Sequence, residues 1–434
     1  MNSLRYHGAM PSALNPGVQK REVFAWSMYD FANSGYTTVV LTTLFNAYFV
    51  GVVAGNAPWA TFAWTVVTSI SYLAVMIAGP VIGAFADAKA AKKRILFVAT
   101  VGCIVPTAML YGAGPGMLVF AAICIVISNF SYAIGENLTA AFLPELARTE
   151  SLGKVSGWGW SLGYVGGLVA LLLSLAWVSI AETRGVSGGD AVPATMILTA
   201  AVYTIGASFT FLLLRERATP VARHYRWIDT ISSLRSTARE AAKFRDLLLV
   251  FACGTCYQAG VATVITLASI YAQKVMGFGV KDTIVLVLIV NVTACIGAFA
   301  FGYVQDAIGK KRALMLTLVG WTGMVVMAWF ATTRPLFWIA ANLAGLCMGS
   351  SQSAGRALVA FFSPPEKAAE MFGLFGVATR LAAVLGPLTY GTVSWVTNNN
   401  HRLAMLVTGV FFIAAIAVLA QVNEARGRAA AEAK

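Results

Sequence analysis

Asp30, Asn33, Ser34 and Thr37 stand at i, i+3, i+4 and i+7 within the otherwise apolar run 21–48. That spacing puts all four on one face of a helix. Further apolar runs carry Asn129, Tyr132 and Glu136 on one face, Tyr257 with Gln258, Gln352 four residues before Arg356, and Arg380. A charge at the centre of a membrane helix costs about 2.5–3.5 kcal/mol on insertion scales, so each needs a partner or a task. Three kinds of chemistry suit two carboxylates and two guanidiniums. Asp30 or Glu136 carries a proton, its affinity raised by desolvation and reset when a neighbour moves. Alternatively an arginine grips a solute carboxylate or other anion bidentately while an acid meets its amine. In the third reading, Asp30–Arg356 or Glu136–Arg380 are static ion pairs. Glu136 is the preferred proton site, because it lies deeper and has Asn129, Tyr132 and Asn137 nearby. Arg356 is the preferred anion anchor.

The elements that must position these groups follow from composition. Of 434 residues, 58% are hydrophobic and 11% charged, against roughly 25% charged in soluble domains; the mean hydropathy is +0.74. This composition implies an integral membrane protein. Helix-length apolar runs without ten-residue alternation favour helices over a barrel. Twelve spans are expected, at about 23–50, 58–86, 95–114, 116–142, 155–181, 193–214, 247–272, 283–305, 313–332, 336–362, 370–397 and 402–422. At about 1.5 Å of rise per residue, Asp30, Arg356, Arg380 and Glu136 lie roughly 12–18 Å from the same membrane surface, close enough in depth to share a cavity.

Most Lys and Arg residues fall on one side of these spans, whereas Arg184, Lys274, Lys281, Arg334 and Arg402 fall on the other. The positive-inside rule then puts both termini in the cytoplasm. Topology thus accounts for most of the net charge of +13, and no nucleic-acid partner is expected. The expected organisation is a cytoplasmic segment 1–22, a six-helix half 23–214, a basic linker 215–246, a second six-helix half 247–422 and a cytoplasmic tail 423–434. The linker's basic residues with Trp227, Ile231 and Leu234 suggest a helix lying on anionic lipid.

An internal repeat supports the division. Gly83, Asp87, Lys92, Lys93 and Arg94 follow span 2, and Gly302, Asp306, Lys310, Lys311 and Arg312 follow span 8; both Gly and Asp are displaced by 219 residues. This glycine, aspartate and basic cluster resembles the cytoplasmic loop signature of the major facilitator superfamily. The resemblance implies a conformational lock, with each Asp capping or pairing across helices. The first copy departs from the pattern, with Ala88 and Ala90 where a basic residue and glycine are usual. More narrowly, WSMYDFANSGYTTVVLTTLF in span 1, AFLPELAR at 141–148, SGWGWSLGYVGG at 156–167 and MFGLFGVATRLAAVLGP at 371–387 resemble the vacuole-effluxer-like branch. That branch includes the autophagy-related vacuolar amino-acid effluxers and their bacterial relatives.

The resemblance implies an all-α membrane protein of twelve transmembrane helices in two six-helix halves, with spans 1, 4, 7 and 10 lining a central cavity. Other features have plainer readings. Gly157, Gly159, Gly163, Gly166 and Gly167 let helices approach closely; no strand precedes them and no Lys-Ser/Thr follows, so they make no nucleotide loop. Gly386-Pro387 is expected to kink span 11. Cys253 and Cys256 sit in an apolar helix without His support and read as core. No hydrolase triad, metal cluster or nucleotide motif is visible, which argues against an enzyme, an ATP-driven pump or a cofactor. The expectation is a monomeric secondary transporter of the plasma or inner membrane, with lipids and a small-molecule substrate as partners. The substrate expected is a small polar or zwitterionic solute, first an amino acid or short peptide, exported in exchange for protons. Alternatives are a larger amphipathic drug- or lipid-like cargo, and a non-transporting receptor or scaffold on the same fold.

Overall fold

A computed structural model describes residues 13–220, 244–398 and 400–432. Every long element among them is a helix, and the β-type contact is an isolated bridge between Leu14 and Ala147. The first helix, α1 (Lys20–Tyr36), runs on through a π-helical stretch (Thr37–Thr43), a short α turn (Leu44–Tyr48) and a second π stretch (Phe49–Val53). Then come α2 (Ala60–Lys89), α3 (Lys92–Met109), α4 (Leu118–Ala140), α5 (Leu152–Thr183) and α6 (Gly188–Leu213). The later elements are α7 (Arg245–Lys274), α8 (Val280–Ile308), α9 (Lys310–Phe330), α10 (Arg334–Phe362), α11 (Ala368–Val396), α12 (His401–Ala420) and the short α13 (Glu424–Glu432).

Among the described residues, eleven helices are long and apolar enough to cross a membrane. The remaining expected span, α10, is long but not apolar enough, because Asn342, Ser350, Ser351, Gln352, Ser353 and Arg356 dilute it. Ser350, Ser351, Ser353 and Arg356 are all buried. A helix enclosed by protein on most sides is free of the composition that lipid demands.

Each group of six long helices packs mostly within itself, and the two groups meet along α2 against α11 and α5 against α8 and α10. At the end of the bundle that carries the Gly–Asp loops, the first and last described segments are tied down. Asn15 donates its side-chain N–H bonds to the carbonyls of Pro144 and Glu145 at 2.9 and 3.0 Å. The expected tail 423–434 contributes α13, whose Arg426 grips Asp246 bidentately at 2.6 and 2.8 Å. The membrane-surface helix expected from Trp227, Ile231 and Leu234 lies outside the described residues. α11 continues through Pro387 to Val396 as one helix, so the expected kink does not interrupt it.

Candidate functional site

A cavity of roughly 500 Å³ lies between the two groups of helices. Its lining runs from Asp30, Glu136, Arg356 and Arg380 to Thr43, Leu286 and Phe337, toward the end opposite the Gly–Asp loops. The α1 stripe faces it with Asp30, Asn33, Ser34 and Thr37, and the π stretch adds Thr38, Thr42 and Thr43. Asn33 is held by Tyr203, whose hydroxyl donates to Asn33 Oδ1 at 2.8 Å.

Two ion pairs span the cavity, each joining an acid of the first six helices to an arginine of the last six. Arg356 Nη1 donates to Asp30 Oδ2 at 2.6 Å, and Arg380 Nη2 to Glu136 Oε2 at 2.9 Å. Their surroundings differ. The remaining nitrogens of Arg356 are also used: Nε donates to Ser156 Oγ at 3.1 Å and Nη2 to the Ser156 carbonyl at 2.9 Å. Its guanidinium lies between the rings of Trp26 and Trp160, 4.8 and 5.2 Å from their centroids. Gly159 makes room for this nest, since a Cβ there would stand 2.6 Å from Arg356 Nη2 and from Asp30 Oδ2. Arg380 lies between Tyr72 and Tyr132, at 5.4 and 5.8 Å, but its buried Nε has no hydrogen-bond partner among the described residues. The Glu136 side chain keeps 34% of its surface exposed, against 13% for Asp30.

Gln258 and Gln352 face each other with reciprocal amide bonds at 2.7 and 3.2 Å. Two buried donors on the lining, Trp160 Nε1 and Asn137 Nδ2, lack partners among the described residues.

The end below the cavity is closed by two matching contacts. Asp87, at the end of α2, accepts the backbone N–H of Glu370 in the first turn of α11 at 2.9 Å. Asp306, at the end of α8, accepts those of Gly153 and Lys154 in the first turn of α5, both at 3.0 Å. A carboxylate at a helix N-terminus meets orphan donors and the positive end of the dipole. Gly83 admits the Ala369 carbonyl, and Gly302 the Gly153 carbonyl. Behind these caps, buried Lys92 pairs with Asp87 at 3.2 Å and Glu145 at 2.9 Å. Lys93 Nζ donates to the Leu214 carbonyl ending α6, as Lys311 Nζ does to the Ala420 and Val422 carbonyls ending α12. Glu216 and Glu424 in turn accept backbone N–H groups that open α3 and α9. Arg94 and Arg312 are exposed.

A family model described as "Vacuole effluxer Atg22 like" matches residues 18–432. The chain belongs to this family. Among its relatives, an uncharacterised MFS-type transporter, YxiO of Bacillus subtilis, is 25% identical over 92% of this chain and 94% of its own length. Autophagy-related protein 22 of Eremothecium gossypii is 22% identical over 72% of this chain and 67% of its own. Among solved structures, the major facilitator transporter FucP in its outward conformation superposes with a TM-score of 0.74 at 13% identity, covering 93% of this chain and 98% of that one. The fold is therefore that of the major facilitator superfamily, and this Atg22-like chain is a multi-pass membrane transporter of that type.

Against the sequence expectations, the cavity collects Asp30, Asn33, Tyr132, Glu136, Gln258, Gln352, Arg356 and Arg380, but two residues fall outside its lining. Asn129 is buried and bonds Ser71 Oγ of α2 at 2.5 Å. Tyr257 is buried with its hydroxyl against Gly355; about 100° of helical turn separates it from Gln258, so the two cannot share a face. In the first loop Ala90 takes the left-handed conformation, φ +48°, at the position where the second loop has Gly309 at +95°. The second copy has one residue fewer between its Asp and the basic cluster, and Lys310 and Lys311 occupy the places of Lys92 and Lys93. Tyr72 has no signal in sequence that separates it from other span residues, and Ser156, although it opens the 156–167 motif, carries no sign of its bonds to Arg356.

Proposed function

We propose that this transporter works by alternating access, with two six-helix halves rocking about the polar site, and exports a small polar or zwitterionic solute in exchange for protons. The observation that carries the reading is the pair of ion bridges across one cavity whose floor is sealed by the reciprocal caps of Asp87 and Asp306. Motion that parts the caps must also strain bridges that join the same two halves, which couples the gate to the site. With the Gly–Asp loops and both termini in the cytoplasm, as the basic-residue asymmetry supports, the state described is outward-facing. The mixed charges suit a solute bearing both signs, and the family supports export of small solutes, with amino acids or short peptides first.

Glu136 is the proposed proton carrier, since it is the carboxylate more open to the cavity. Either a proton or a solute ammonium group neutralises it, and such competition is a route to antiport. Purified protein in liposomes tests the reading against amino acids, dipeptides and amphipathic cations under imposed pH gradients. Solute flux with counter-movement of protons is expected; no flux and no proton movement under any gradient overturns it. Glu136→Gln should abolish proton-driven accumulation while exchange persists at saturating solute. Wild-type behaviour of that variant between about pH 5 and 8 moves the proton role to Asp30.

A further inference from the structure

The two ion pairs are alike in charge and unlike in everything else. At Arg356 every guanidinium nitrogen is engaged, by Asp30 and by both the hydroxyl and the carbonyl of Ser156. The side chain is 7% exposed, and two indole rings cover its faces. Three of its five N–H groups bond Asp30 or Ser156, one on each nitrogen, so a ligand carboxylate could take the other two only at nitrogens the protein already holds. Gly159 shapes the backbone to this arrangement, so the pair is built as a closed unit.

At Arg380 the count is incomplete. Nη2 meets Glu136, whereas Nε is buried without a partner among the described residues, and a buried guanidinium donor left unpaired carries a desolvation penalty. On the same lining, Asn137 Nδ2, next in sequence to Glu136, is a buried donor without an acceptor among the described residues. Two unmet donors close to a partly exposed carboxylate describe a place where an acceptor-rich group is missing and a cation is welcome.

We propose that Arg380 and Glu136 are the pair that opens to receive the solute, Arg380 taking its carboxylate through Nε and Nη2 while Glu136 takes its ammonium group, and that Arg356–Asp30 stays closed as the pivot between halves. Tyr72 and Tyr132, which flank Arg380, then wall the charged end of the solute. The assignment deepens the proposed function and rests on its zwitterionic substrate. It reverses the ranking of the arginines by sequence, where Arg356 stood first.

The test measures binding to the purified full chain in detergent, separately from flux in liposomes. The probes are L-alanine and L-phenylalanine, their amides, and the corresponding acids without the amine. Wild-type protein is expected to bind the zwitterions about tenfold or more tighter than either truncated series. Arg380→Lys removes the fork and should weaken zwitterion binding about tenfold or more. Glu136→Gln, nearly isosteric and therefore a second variant should Arg380→Lys fold poorly, should cut affinity for the zwitterions but not for the acids lacking the amine. Arg356→Lys should lower the melting temperature more than it weakens binding. The proposal is overturned if Arg380→Lys and Glu136→Gln bind the zwitterions as wild type does, or if the truncated probes bind equally well. Zwitterion binding with these variant effects but without any wild-type flux removes the transport reading and leaves the site assignment standing.

Discussion

Asp87 receives the backbone N–H of Glu370 at 2.9 Å, across the boundary between the first and last six helices. Asp306 makes the mirror contact to Gly153 and Lys154. A side-chain cap at a helix N-terminus contributes about 1 kcal/mol, so two of them favour the closed floor by roughly 2 kcal/mol. Asp306→Ala should shift the population toward the floor-open state about fivefold, and the double change with Asp87→Ala further. Spin-label distances between α5 and α8 at that end measure the shift, and an unchanged distribution in both variants removes the caps from the gate.

Ala90 pays for a left-handed backbone that glycine adopts freely. Ala90→Gly should therefore raise stability by about 0.5–1 kcal/mol. An increase in melting temperature, with the floor contacts intact, is the expected readout. A decrease would show that the methyl group packs more usefully than the strain costs.

In α5, Gly163, Gly166 and Gly167 pack against α1, whereas Gly157 meets Ala298 and Gly302 of α8. A Cβ at Gly166 would fall on the Phe31 carbonyl, whereas one at Gly391 meets nothing within 4 Å. Gly166→Ala should sharply reduce the yield of folded protein, and Gly391→Ala should leave it unchanged. Equal yields for the two variants would mean that α1 and α5 separate without penalty.

Asp246 is the anchor of α13, accepting from Arg426 and from the Asn423 backbone. Because the Arg426 side chain is half exposed, the ion pair itself contributes little, and the backbone bond contributes more. Asp246→Ala should speed amide hydrogen exchange over residues 424–432 with only a small change in global melting. Unchanged exchange there would assign the docking of α13 to Gly427 against Phe362 instead.

Much of this was legible in the chain. Asp30, Glu136, Arg356 and Arg380 declare themselves because charges in apolar runs are rare, and equal depth implies a shared cavity. The repeated Gly–Asp spacing marks the gate for a similar reason. Rotation about a helix axis is less legible: Gln258 faces the cavity and its neighbour Tyr257 does not, and no pattern in an evenly apolar run says which. Asn129 is lost for another reason, since Ser71 of a different helix claims its amide. The inequality of the arginines was invisible, because Ser156 supplies two bonds from a residue type that is common in any membrane helix.

The first helix carries one more consequence. Its hydrogen bonds pass from α to π at Thr37, directly beyond Asp30 and Asn33, and pass to π again at Phe49. A π turn stores extra chain over nearly the same rise. Rewinding that stretch to α would turn the face bearing Thr38 and Thr42 relative to Asp30 and Asn33, so the register of the cavity-lining threonines depends on how the helix is wound above the charges.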